Sequence, residues 1–290
     1  GEIELSGTIN GNMGTVSYDQ YQGEGKIIWP PITLLTWTGA VSSDWFTADN
    51  WSPSQVPDEN YSVSIPLTAN NPIIYRDGAE CDNLTITNGV LSLESGYGME
   101  IFGSVDVQDA GIFIGGDDVI TVHSDWNIAT RGFFVPQTST VSFVAGGGSV
   151  SILPRKSSFY NLSFDGAATF ALTGSSISID GDLSINTGTL WPNTSNYTYY
   201  VGGNYHRAAD AVFNTANTGF VEFSGTNQTI ENGYFNRVRF SNSGTKTLTG
   251  TFDAIYNSSA STTYTLIVED NATLAVGSGL SLTISGNVLI

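Results

Sequence analysis

Residues 99–107 read Met-Glu-Ile-Phe-Gly-Ser-Val-Asp-Val. The pattern returns as Ile-Ser-Ile-Asp-Gly-Asp-Leu-Ser-Ile at 177–185 and as Leu-Thr-Ile-Ser-Gly-Asn-Val-Leu-Ile at 282–290. Each copy is apolar-x-apolar-x-Gly-polar-apolar-x-apolar. Alternation with period two makes each half a short strand with one apolar side. The central Gly with a small polar neighbour makes a corner, because Gly reaches backbone angles closed to other residues. Strand, corner, strand, recurring along a chain, is the side of a coil. The expected fold is therefore all-β: a right-handed parallel β-helix.

The spacing supports a coil. Gly103 and Gly181 are 78 residues apart (181 − 103), and Gly181 and Gly286 are 105 apart (286 − 181). The two intervals differ by about one turn of a β-helix, which takes roughly 20–30 residues. Asn83-Leu-Thr-Ile86 and Asn161-Leu-Ser-Phe164 keep the first interval. Val141-Ser-Phe143 with Val221-Glu-Phe223, and Leu172-Thr-Gly174 with Leu248-Thr-Gly250, nearly keep it. This reads as one long repeat of several turns, written about two and a half times.

Composition agrees. Only 12% of the 290 residues are charged, against 40% hydrophobic, and Gly alone supplies 33. Helical surfaces favour Lys, Glu and Arg; Ser, Thr, Asn and Gly suit strands and turns. The net charge of −18, from 9 basic and 27 acidic residues, argues against nucleic acid, whose binding needs clustered cations. It also argues against an anionic membrane surface. No apolar window is long enough to span a bilayer. The lone cysteine, Cys81, has no partner for an internal disulfide.

Along the chain, residues 1–33 alternate weakly and end at Trp29-Pro30-Pro31, which suggests an arm or the tail of a preceding domain. Residues 34–82 read as a Trp-rich capping segment, and 83–290 as coil that continues beyond the last residue. Four of the six tryptophans fall before residue 52. Trp37, Trp45 and Trp51 fit a sugar-stacking platform or a plug over the open end of the coil. An uncapped solenoid exposes strand edges and a core cross-section, which favours the plug. The stretches 191–200 and 256–264, rich in Asn, Ser, Thr and Tyr, look like loops leaving the coil.

Trp37-Thr-Gly, Ser43-Asp-Trp45, Asn50-Trp51-Ser, Val63-Ser-Ile-Pro66 and Cys81-Asp-Asn-Leu-Thr-Ile86 together resemble the opening of β-helix modules in large surface proteins of Bacteroidetes. The later pattern is similar too: Val221-x-Phe223-x-Gly225-x-x-Gln228-x-Ile230, then Phe235-x-x-Val238, then Gly244-x-Lys-x-Leu248. The resemblance covers roughly residues 34–290. It implies export by the type IX secretion route, an extracellular or cell-surface location, and a place among gliding-motility and other adhesins. Its partners would be neighbouring modules of the same long chain, with surface glycans as a further class.

Catalytic constellations are absent from the sequence. His123 and His206 have no second ligand at metal spacing. Asp117, Asp118 and Asp125 form the densest acidic group and are the candidates for Ca²⁺, although the Asp-x-Asp-x-Asp-Gly loop is missing. Gly146-Gly-Gly148 lacks the Lys of a phosphate loop. The reading is a non-enzymatic structural or adhesive module with no catalytic residue and no cofactor. A carbohydrate-binding or carbohydrate-cleaving β-helix is the alternative, and an ice- or surface-binding solenoid the second alternative.

Overall fold

A computed structural model describes residues 33–174, 176–192, 198–214, 220–255 and 264–290. The arm expected over 1–33 falls, but for Thr33, outside the described residues, as do 193–197 and 256–263 from the two expected loops. The outer part of the first loop is not a loop: Thr198–Val201 is a strand, with Tyr199 buried and Tyr200 turned out.

Thr33–Ile290 forms one compact unit. It is an all-β parallel coil, and its only described helical segment is a 3-10 turn at Ala48–Asn50. Each full turn lays one strand in each of three positions. The first and third positions carry ten-stranded sheets; the second carries a four-stranded sheet, then a six-stranded one. From Gly233–Phe235 onward a three-stranded sheet takes the first position. Among the described residues every ladder between strands is parallel except Leu34–Trp37 with Trp51–Ser52. A turn takes about 21 residues, the separation of Asp106 and Asn127, which hydrogen-bond across neighbouring turns.

The coil begins before residue 83. Ser62–Pro66 pairs in parallel with Leu84–Thr87, Ile73–Ile74 with Val90–Leu93, and Glu80–Cys81 with Met99–Ile101, so residues 62–81 already make a turn. What precedes it, 34–52, is the Trp-bearing segment. Val63-Ser-Ile65 alternates as cleanly as any later strand, and the tryptophans nearby had drawn it into the cap.

The three nonapeptides lie on three different corners. Residues 99–107 join the third position to the first, 177–185 the second to the third, and 282–290 the first to the second. The other matched pairs shift likewise: Leu84–Thr87 is in the first position, its counterpart Asn161–Phe164 in the third. The reading as one long repeat in constant phase is therefore corrected. Seventy-eight residues is no whole number of 21-residue turns. Period-two alternation keeps inward residues inward on every face, so a near-repeat can rotate onto another face at no cost in burial.

Inward side chains stack in register through the coil. Leu84, Val105 and Trp126 form one column and Ile86, Val107 and Ile128 the next, all fully buried. Phe143 stacks on Phe164 at 5.7 Å and 14°, and Phe223 on Phe240 at 5.6 Å and 18°. At about 1.5–3 kcal/mol per buried aliphatic side chain, such columns supply the main drive for ordering the chain. Leu282 and Ile284, apolar positions of the third nonapeptide, are only partly buried.

Corners are held by polar side chains that reach along the coil. Asn161 Oδ1 accepts from the N–H of Asp182 (2.9 Å), Asp182 Oδ1 from that of Asn204 (2.6 Å), and Asn204 Oδ1 from that of Thr229 (2.9 Å). One face is interrupted. After Phe133–Val135 the second position is crossed by residues 154–159, where Pro154 offers no N–H and Arg155 takes φ 58°. Ser157 Oγ accepts from the Phe134 N–H there (2.9 Å), replacing the missing ladder bond.

Candidate functional site

The Trp-bearing segment is built on Asn50. Its Oδ1 accepts from the N–H groups of Val41 (2.9 Å) and Ser42 (2.8 Å), and its Nδ2 donates to Ser42 Oγ and the Asp44 carbonyl, both at 2.9 Å. Asn50 is fully buried. Asp44 steadies the same loop: its carboxylate accepts from the Phe46 N–H (2.9 Å) and from Thr47 Oγ1 (2.9 Å). Burial alone would raise its pKa; the hydrogen bonds from Phe46, Tyr75 and Thr47 outweigh that and hold it below its ordinary value.

Around this frame Trp37, Trp45 and Trp51 are 1%, 0% and 2% exposed. Trp51 stands edge-on to both others, with centroids 4.9 Å from Trp37 and 4.7 Å from Trp45. Its Nε1 donates to the Trp45 carbonyl (2.8 Å), and Trp37 Nε1 donates to the Asn70 carbonyl (2.7 Å). The rings belong to the core and offer no open stacking face. Asn50, missed from sequence, had one signal: an Asn directly before a Trp in a stretch of small polar residues.

The three Ca²⁺ candidates are not brought together. Asp117 accepts from Ser95 Oγ and the Gly96 N–H, and these hydrogen bonds lower its pKa. Asp118 Oδ1 accepts from the adjacent Val119 N–H (2.7 Å), and Asp125 Oδ1 from the Ser151 N–H (2.7 Å) one turn on. Among the described residues no group of three His, Cys, Asp or Glu could hold a metal. Nor does any helix there have the length and apolarity to cross a membrane.

Other titratable groups bridge turns as well. His123 Nε2 meets Glu100 Oε1 at 2.8 Å while its ring stacks on Phe102, and His206 Nδ1 meets Glu231 Oε2 at 2.7 Å. Burial pushes Asp165 up, but donation from Ser163 (2.6 Å), Asn186 (2.5 Å) and Ser142 (2.7 Å) prevails and holds it below its ordinary value. Cys81 is a buried thiol, raised well above its usual range by burial and then by Asp82. Such a thiol is inert packing.

Gln228 and Lys246 are polar and point inward. Gln228 Nε2 donates to the carbonyls of Val201 (2.9 Å) and Gly203, while its Oε1 accepts from the Gly225 N–H (2.9 Å). In register on the next turn, Lys246 Nζ donates to the carbonyls of Asn242 (3.1 Å) and Ser243 (3.2 Å). The Gly-x-x-Gln and Gly-x-Lys patterns are thus corner devices: the side chain satisfies backbone groups that the turn turns inward.

Residues 36–137 match the family model of a domain of unknown function (DUF8693), a span that takes in the Trp cluster and all four strands of the shorter second-position sheet. Searches of the curated proteins and of the solved structures find no match.

Proposed function

We propose that this chain is a non-enzymatic structural and adhesive module of a large cell-surface or secreted bacterial protein. In this reading it is a coil that spaces or presents neighbouring modules. The observation that carries the reading is where the chemistry-bearing side chains are spent. His123, His206, Asp117, Asp125 and Asp165 each join one turn of the coil to another, and Trp37, Trp45 and Trp51 are core. The resemblance to Bacteroidetes surface modules supports export by the type IX route and an adhesin or gliding role. A replacement experiment tests it. In the parent protein, residues 62–290 are exchanged for an unrelated coil with the same number of turns, and surface attachment is measured. A spacer tolerates the exchange; loss of attachment with export intact would show that this coil's own surface is the ligand site.

A second reading, carbohydrate recognition, is favoured by Trp191, which is 39% exposed on the outer side of the first-position sheet. A half-exposed indole offers the flat stacking surface that a sugar ring uses. A glycan array with the Trp191→Ala variant separates the two: glycan binding that disappears in the variant would favour this reading.

A further inference from the structure

One step of the coil is bound unequally at its three positions. It lies between the turn holding Trp126–Ile128, Phe133–Val135 and Thr140–Phe143 and the next, which holds Ser149–Leu153 and Asn161–Phe164. In the third position the ladder is full. Thr140, Val141, Ser142 and Phe143 meet Asn161, Leu162, Ser163 and Phe164 in register, inside a ten-stranded sheet. In the first position Trp126 and Asn127 meet Ile152 and Leu153, and the register goes no further. In the second position the four-stranded sheet stops at Phe133–Val135 and the six-stranded one starts at Ile177–Ile179. Residues 154–159, between them, join neither ladder and make one isolated bridge, Phe159 with Ile179.

The chain also runs long at this step. Asp125 reaches the Ser151 N–H 26 residues on, whereas Asp106 and Asn127 are 21 apart. The added length lies between Phe143 and Ile152, which face Val122 and Trp126 of the turn before. There Gly146, Gly147 and Gly148 are exposed, and a Cβ on any of them would meet nothing within 4 Å. Ladder hydrogen bonds hold strands about 4.8 Å apart and fix their direction. Apolar contact is non-directional. Under the gap Phe159 keeps the core closed, its ring centroid 5.6 Å from Trp126 and 5.9 Å from Phe134. Across the gap the Phe134 N–H donates to Ser157 Oγ at 2.9 Å. Ring packing and a side-chain bond hold the two turns together but leave the angle between them soft. We propose that this step is a hinge. The coil bends about its continuous third-position sheet, the second-position gap at 154–159 widens, and Gly146–Gly148 absorbs the backbone change. The turns up to Phe143 and those from Asn161 onward then move as two stiff arms. The hinge is a property of the coil and goes beyond either reading of its function.

Pulsed electron spin resonance on the full chain tests this, with spin labels on pairs of outward residues two turns apart. Cys81 is buried and stays unlabelled. Val135→Cys with Ser178→Cys spans the gap. Ser92→Cys with Val135→Cys spans the intact four-stranded sheet at the same position, and Thr121→Cys with Ser163→Cys the third-position sheet beside the hinge. The gap pair should give a distance distribution at least about twofold wider than either control. Ser157→Ala, which removes the attachment to Phe134, should widen the gap pair further and leave both controls unchanged. Equal widths in the three pairs would overturn the hinge, whether or not Ser157→Ala folds. Widening of all three pairs in a Ser157→Ala protein with an unchanged circular-dichroism spectrum would overturn it too, by making the looseness general.

Discussion

Trp45 and Trp51 sit against each other with almost no exposure, yet their indole nitrogens differ. Trp51 Nε1 donates to a carbonyl, and Trp45 Nε1 is buried with no acceptor among the described residues. Truncation of either to Ala should cost about 3–5 kcal/mol in chemical denaturation, the range for a buried aromatic. Replacement by Phe should be milder at Trp45, where no hydrogen bond is lost. A loss below about 1 kcal/mol for either Ala variant would mean that the ring is not core. Lys246 gives a pH-dependent counterpart. Burial favours its neutral form and lowers its pKa below the ordinary 10.5. Between the lowered value and 10.5 the unfolded chain binds more protons than the folded one, so stability rises with pH across that window. Lys246→Met should remove this rise, so the gap between the two stability curves should change with pH across that window. Parallel curves would contradict the assignment.

Corners are the elements that keep turns in register, and they differ in what they tolerate. Gly244 holds φ 95°, and a Cβ there would fall on the Thr226 carbonyl oxygen. Gly146 has open space around it and no positive φ. Gly244→Ala should therefore destabilise by at least about 1–3 kcal/mol, the cost of a strained backbone. Gly146→Ala should be neutral or stabilising by up to about 1 kcal/mol, by restricting the unfolded chain. Equal effects in a thermal melt would deny that the corner backbone is specific. The polar run Asn161, Asp182, Asn204, Thr229 makes the same point from the side-chain direction: each turn's corner caps an N–H of the next.

Over the whole coil, stability passes between neighbouring turns, because each turn's inward residues meet those above and below. The columns around Leu84, Val105 and Trp126 are sealed, whereas Leu274, Leu282 and Ile284 in 272–290 are only partly buried. Amide exchange followed by mass spectrometry should show strong protection through the central turns and a marked fall over 272–290. Uniform protection to the last residue would contradict this stacking picture.

Strand identity, inward parity and the coil itself were legible in the sequence, because alternation and Gly corners are local and each strand carries them. Ile101, Val105, Leu162, Phe164, Ile177 and Leu183 hold the apolar positions of the alternating stretches and are buried. The sequence also placed the three tryptophans in one segment, from their spacing. What only the tertiary structure decided is phase and company. Which face a strand joins depends on the accumulated length of every turn before it, so three similar nonapeptides came to rest on three different corners. Asp117 and Asp125, close in sequence, are drawn to different turns by backbone N–H groups 21 and 26 residues away, and the buried role of Asn50 rests on a loop that folds back over it. The gap in the second-position ladder likewise exists only once turns are stacked in register, since no local pattern records which strands will stand one above another.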